Sequence, residues 1–207
     1  MKKLIVMTAD LDIEKSVQGL LTRSKSLGIN EISIKEDVCF VRHPHRDPGC
    51  YLHAAEFLRF AIGKYQHALV MFDREGCGNE GDALSNIAAK VERDLSSSGW
   101  KSSAAIVLDP EIESWVWSLS PYVDEELGWK GTVPPLRQWL KENGFLDDMT
   151  IKPHRPKEAL EAALREKKKP RSPQIYFNLA KRVSLSRCTD ESFNKFKQTM
   201  AAWFSQS

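Results

Sequence analysis

"HALVMFDREGCGNEGDALSNIAAKVERDLSSSGWKSSAAIVLDPEIE" (residues 67–113) decides the fold. It opens on an apolar run closed by Asp73, which reads as a strand buried on both faces. A glycine-rich loop follows, and then Leu84, Ile87, Ala88, Val91 and Leu95 fall on one helical face that stops at a run of serines and Gly99. "SAAIVL" (103–108) repeats the apolar strand and is again followed by acids, Asp109, Glu111 and Glu113. Strand, helix and strand in this spacing predict a parallel sheet covered by helices.

The same plan extends towards the N-terminus. "KLIVMT" (3–8) reads as a strand and "SVQGLLTRSKSLG" as a helix ending at Gly28. "EISIKEDVCFVRH" (31–43) reads as one strand or a hairpin, and "YLHAAEFLRFAIGKY" (51–65) as a helix with Leu52, Ala55, Leu58 and Ile62 inward. From Pro134 the strand signal ends. "PPLRQWLKENGF", "RPKEALEAALREKKK", "SPQIYFNLAKRV" and "DESFNKFKQTMAAWF" read as four helices separated by Gly, Pro and Ser-Arg-Cys-Thr turns. The expectation is an α/β protein with a Rossmann-like, mainly parallel sheet over residues 1–133, flanked by helices. A basic helical extension over 134–207 packs on it.

The chain has 207 residues, 42% of them hydrophobic, which suffices for a sizeable core. No apolar run reaches membrane-spanning length and "MKKLIVMTAD" turns acidic too soon for a signal peptide, so a soluble cytoplasmic protein is expected. The four cysteines form no C-x-x-C pair, which argues against a zinc knuckle or redox motif. Charge is divided unevenly: residues 1–150 hold 17 Lys and Arg against 23 Asp and Glu, and residues 151–207 hold 13 against 5. An acidic part joined to a basic one suits a protein that handles polyanions, although a lysine-rich helix can also be a solvated face.

Carboxylates follow three strand candidates: Asp10 and Asp12, then Asp73 and Glu75, then Asp109, Glu111 and Glu113. In a parallel sheet those ends share one edge, and like charges gathered there are relieved by a cation. In an extended segment Asp73 and Glu75 point the same way and Arg74 points elsewhere. Oxygen donors without clustered Cys or His favour Mg²⁺ or Mn²⁺, and such ions suit phosphodiester cleavage or phosphoryl transfer. A single acid after a strand is more often a helix cap. "EGCGNEG" lacks P-loop spacing; its glycines permit tight turns, with Glu80 and Asp82 near enough to support the acids.

"VRHPHRDPG" offers Arg42, His43, His45 and Arg46 as a phosphate clamp or a partner-facing loop. "KPHRPK" and "REKKKPR" offer Lys152, Arg155, Lys157, Lys167, Lys168, Lys169 and Arg171 as cations tracking a nucleic-acid backbone. Of Trp115 and Trp117, at least one belongs to the core, since residues two apart diverge on a helix.

With these motifs in view, "FDREG" and "LDPEIESWVWSLSP" resemble the Toprim-like proteins of bacterial defence islands. In those, an acid after the first strand, a D-x-D or D-x-E pair and a downstream E-x-W element form a metal site. More narrowly, the order of "RHPHRDPG", "FDREGCG", "LDPEIESWVW", "LGW", "KPHRPKEAL" and "SLSRCTDESF" is similar to the small component of methylation-associated anti-phage defence systems. The resemblance implies a Toprim-like fold, a nuclease or phosphodiesterase acting on nucleic acid, DNA first, and partner proteins of the same system. It implies Asp73, Glu75, Glu111 and Glu113 as Mg²⁺ or Mn²⁺ ligands, with Asp10, Glu75 and Glu113 in catalytic roles. Toprim enzymes usually place Glu-Gly after strand one, where this chain has "TADLDIEKS". A catalytically silent sensor or scaffold in a defence assembly therefore stays open, as does a nucleotide-sugar or small-phosphoester enzyme on a Rossmann-like sheet.

Overall fold

The computed structural model describes residues 1–185 and 188–205. Ser186 and Arg187, in the expected Ser-Arg-Cys-Thr turn, lie outside the described residues. Four strands among the described residues form one sheet: β1 (Lys2–Thr8), β2 (Val38–Arg42), β3 (Tyr65–Asp73) and β4 (Ser103–Leu108). They lie in the order β2-β1-β3-β4 and every pair is parallel. Leu4, Ile5, Val6 and Met7, and likewise Ala68 to Phe72, are fully buried, as continuous apolar runs require of covered strands. The chain leaves β1 towards β2 and returns to the opposite side for β3. The β1 and β3 mouths therefore flank the switch point, where the loops diverge and leave a crevice.

Helix α1 (Leu11–Leu21) follows β1, and α2 (Ser24–Leu27) ends at Gly28, whose φ of 72° suits a residue without a Cβ. The single helix expected there breaks at Thr22 and Arg23. The Thr22 hydroxyl turns back to the Gly19 carbonyl at 2.7 Å, and the Arg23 guanidinium donates to the carbonyls of Ala180 (3.0 Å) and Val183 (2.6 Å).

Two expectations are corrected. "EISIKED" is not extended: Ser33 accepts from the Glu36 amide at 3.3 Å and donates its own amide to Asp37 at 3.1 Å, closing α3 (Ile34–Asp37). Only Val38–Arg42 pairs as strand. The helix expected over 51–65 is α4 (Arg46–Phe57), which opens inside "HRDPG" because a proline is tolerated in a first turn. Its buried face carries Gly49, Cys50 and Ala54, while Leu52 is 52% exposed.

Helix α5 (Leu84–Ser97) buries Ile87, Ala88, Val91 and Leu95, the stripe its periodicity gave. Short helices α6 (Glu113–Val116) and α7 (Pro121–Glu126) follow β4. The four later helices lie where expected: α8 (Leu136–Glu142), α9 (Pro156–Glu166), α10 (Pro173–Arg182) and α11 (Glu191–Phe204).

These helices join the sheet's own apolar cluster. Gly19 lets α1 meet α10 closely, since a Cβ there would stand 2.6 Å from the Phe177 carbonyl oxygen and 2.7 Å from the Ala180 Cβ. Trp203 of α11 stacks on His67 of β3 with ring centroids 4.6 Å apart. Trp117 is a core residue whose indole donates to the Pro156 carbonyl at 2.9 Å; Trp115 is half-buried against Phe193 and Phe196. No helix among the described residues is long and apolar enough to cross a membrane.

Candidate metal centre

β3 ends at Asp73 because its ladder is diverted there. The Asp73 amide donates to Asp47 Oδ1 at 2.9 Å, in the first turn of α4, and Asp73 Oδ1 accepts the Ile112 amide at 2.9 Å. Beyond it, the Arg74 amide reaches the Leu108 carbonyl (2.8 Å) and the Glu75 amide the Pro110 carbonyl (3.0 Å). These bonds zip the loop after β3 to the loop after β4. Glu111 and Glu113 are thereby carried to Asp73.

Asp73, Glu111 and Glu113 form a buried acidic triad: one oxygen from each lies within 4.8 Å of the others, and the residues are 9%, 3% and 1% exposed. Each is held from outside the triad. Glu111 Oε2 meets Lys157 Nζ at 3.1 Å, and its Oε1 accepts the Lys157 amide at 3.2 Å in the first turn of α9. Glu113 Oε1 accepts from Arg171 at 2.7 Å and from the Tyr176 hydroxyl at 2.5 Å. Among the described residues, Asp73 Oδ2 and Glu113 Oε2 accept no hydrogen bond from another residue.

Burial and crowding set the proton affinities. Burial raises the Asp73 carboxyl well above the usual range, and the charges of Asp47, Glu113, Asp10 and Glu111 add to it. Burial likewise raises Glu113, opposed by Tyr176 and Arg171, and raises Glu111, where Glu113 adds and Lys157 opposes. Burial and then Glu113 push the Tyr176 phenol up, so it remains a donor. A divalent cation among these groups reverses the penalty by favouring their charged forms. With oxygen donors alone, the triad is capable of chelating a hard divalent ion such as Mg²⁺ or Mn²⁺.

The other acids read from the sequence take different places. Asp10 caps α1, accepting the Ile13 amide at 2.9 Å, and burial raises its pKa. Asp12 pairs with Arg171 at 2.8 Å. Glu75 is exposed outside the triad because the chain turns after Asp73, so the extended-backbone argument that aligned it with Asp73 does not apply. Its charge still reaches Glu111. Glu80 Oε1 accepts the amides of Gly76 (2.9 Å) and Gly78 (3.1 Å), and Asp82 accepts from Asn79 at 2.6 Å, so both hold their own loop. Gly76 and Gly78 have φ of 85° and 86°, the left-handed turns their loop requires.

Several cations expected on a phosphate backbone are engaged with protein groups. Arg42 pairs with Glu14 at 3.3 Å, Lys152 with Asp190 at 2.7 Å and Lys157 with Glu111, while Lys169 donates to the Glu126 carbonyl. Arg171 binds Asp12, Glu113 and Glu161. Lys167 lies 3.7 Å from the Trp129 ring centroid and Arg155 5.7 Å from that of Phe145. Lys168 and Arg46 are exposed. His43 is 5% exposed against Phe57, with its pKa lowered by burial and then by His45 and His53. His45 lies beside it, 5.7 Å between ring centroids.

Sequence reasoning missed Asp47 and Tyr176. Asp47 follows β2, so the rule that picked out the other strand ends could have found it. Tyr176 sits in α10, 63 residues from Glu113, and nothing local marks it. An apolar cavity of about 630 Å³ lies beside α6, walled by Trp115, Trp117, Met149, Tyr176 and Phe193. Its walls are mostly apolar, with Lys152 among the lining residues.

In comparisons with known proteins, no family model matches the chain, and no curated protein or solved structure matches it. The site is therefore defined by its own geometry: a parallel α/β sheet whose strand mouths carry a buried acidic triad able to hold a divalent cation.

Proposed function

We propose that this chain is a Mg²⁺- or Mn²⁺-dependent phosphodiester hydrolase acting on nucleic acid, with a Toprim-like site, working beside partner proteins in a bacterial anti-phage defence system. The observation that carries the proposal is the triad of Asp73, Glu111 and Glu113, with one oxygen of each within 4.8 Å of the others at the switch point of a parallel sheet. Asp73, Glu111 and Glu113 would hold the ion, with Glu75 as a further ligand. A bound Mg²⁺ or Mn²⁺ supplies Lewis-acid activation of the phosphate ester. Asp10, at the neighbouring mouth and with proton affinity raised by burial, accepts a proton from the attacking water. Exposed Lys168, Arg155 and Arg46 attract the polyanion.

The test is cleavage of single- and double-stranded DNA and RNA in Mn²⁺ or Mg²⁺, by wild type and Glu113→Gln. Cleavage that needs the ion and falls at least about a hundredfold in the variant supports the reading. Inactivity of folded wild type on all four substrates opposes it.

A second reading, a catalytically silent sensor or scaffold, draws on two observations: Asp10 already serves as a helix cap, and Arg171 and Lys157 already pair with Glu113 and Glu111. On that reading the wild type stays inactive with any ion, and substitutions at exposed cations weaken partner capture.

A further inference from the structure

The carboxylate cluster has two resident cations, and they are held in different ways. Arg171 is pinned by Asp12 (2.8 Å), Glu113 (2.7 Å) and Glu161 (2.9 Å), with its guanidinium 5.8 Å from the Tyr176 ring centroid. Three carboxylates and an aromatic face fix a planar, weakly hydrated group. Lys157 makes a single ion pair, Nζ to Glu111 Oε2 at 3.1 Å, and its side chain is 46% exposed. Its backbone is secured separately: Pro156 is buried at the start of α9, and the Lys157 amide holds the other Glu111 oxygen at 3.2 Å. The ammonium can leave without moving the helix.

A second observation bears on what would replace it. Asp73 and Glu113 are 9% and 1% exposed, and each keeps one carboxylate oxygen with no hydrogen bond from another described residue. Crowded carboxylates repel one another, and a ligand that supplies positive charge relieves the crowding. The cluster is thus partly satisfied: Glu111 by a loose internal cation, Asp73 and Glu113 by none on their second oxygens.

We infer that Lys157 is a displaceable internal counter-ion: its ammonium occupies Glu111 while the triad is without metal and swings into solvent when a divalent ion takes that oxygen. The inference rests on the metal-site reading and adds regulation to it. Lys157 sets the ion concentration at which the triad fills, because its ammonium competes with the ion for the Glu111 carboxylate. A flexible four-carbon stem and a strongly hydrated head suit that exchange, and the Arg171 fork does not. No proton or bond changes hands.

The test is calorimetric titration of Mn²⁺ into wild type, Lys157→Met and Lys157→Arg, each checked for folding. Lys157→Met, which keeps the stem and removes the charge, is expected to bind Mn²⁺ roughly fivefold tighter, the scale of one half-exposed ion pair. Lys157→Arg keeps a competing cation and is expected to bind no tighter than wild type. Equal or weaker binding by folded Lys157→Met, with wild type binding normally, overturns the inference and leaves the metal site standing. No binding by any of the three overturns the metal site and the inference with it. A measurement on the unaltered sequence stands beside these. With lysines carrying ¹³C-dimethyl groups, the Lys157 signal, located by its loss in Lys157→Arg, is expected to move to the position of exposed lysines at saturating Mg²⁺. A signal that stays in place while Mg²⁺ binds overturns the displacement.

Discussion

The mouths of β1 and β3 are neighbours in the sheet, and each is closed by an aspartate. At β1, Asp10 gives an oxygen to the Ile13 amide and starts α1, which then buries Gly19 against α10. At β3, Asp73 accepts from Ile112 across the sheet edge and lies against Glu111 and Glu113, and its second oxygen accepts no hydrogen bond from another described residue. One aspartate organises its own helix, and the other gathers a separate loop. Position at a strand mouth supplies the opportunity for a site, and the identity of the amide that takes the carboxylate decides whether the site forms.

The largest expected effect separates the two mouths through metal. Saturating Mn²⁺ should raise the melting temperature of wild type, as any ligand selective for the folded state does. Asp73→Asn should abolish that gain, corresponding to at least about a hundredfold loss of affinity, about 2.7 kcal/mol. Asp10→Asn should retain most of it. A gain that survives in Asp73→Asn and vanishes in Asp10→Asn would reverse the comparison.

Next comes packing behind the β1 mouth. Gly19→Ala must push apart α1 and α10, and urea denaturation should show a loss of about 1–3 kcal/mol with the Mn²⁺ response unchanged. Unaltered stability would mean that the α1–α10 approach is not tight in solution.

The pH dependence follows from the raised Asp73 pKa, caused by burial first and by its acidic neighbours second. An acid whose folded pKa lies above its unfolded value contributes stability that is fully present below the unfolded pKa and is lost as pH rises through the folded pKa. In EDTA, wild-type stability should therefore decline as pH rises above the ordinary carboxylate range. Asp73→Asn should decline less, each unit of pKa shift being worth about 1.4 kcal/mol. Asp190 works in the opposite direction: burial raises its pKa, but Lys152 and Ser192 bring it below the usual value, so its contribution is lost on the acid side. Identical pH profiles for the two proteins would refute the crowding at β3.

The smallest expected effect belongs to the cap. Asp10→Ala should cost about 1 kcal/mol and Asp10→Asn only a few tenths, because asparagine also caps. Equal losses from both would mean that charge, and not capping, is what Asp10 supplies.

Much of this arrangement was legible in the sequence. Apolar runs at 3–8, 67–73 and 103–108 gave three of the strands, and the stripe from Ile87 to Leu95 gave α5. Acids after those runs gave Asp73, Glu111 and Glu113. The failures arose where a side chain overruled the local pattern. Ser33 and Asp37 turned an expected strand into α3. Helix α4 starts ahead of the expected segment, with Pro48 in its first turn, and it packs on Gly49, Cys50 and Ala54, so that Leu52 lies outside. Glu75 was aligned with Asp73 on the assumption that the strand continues, yet Asp47 takes the Asp73 amide and β3 ends there. The pairing of Lys157 and Arg171 with acids 46 and 58 residues away is set by how α9 and α10 return to the sheet, which no local spacing encodes.

The most direct measurement is the anomalous scattering of Mn²⁺ in crystals of the wild-type protein soaked in MnCl₂. The expected result is one strong peak bounded by oxygens of Asp73, Glu111 and Glu113, at about 2.0–2.4 Å from each. A clean map at the triad under saturating Mn²⁺, or a peak at Asp10 in its place, would contradict the assignment of the β3 mouth as the metal centre.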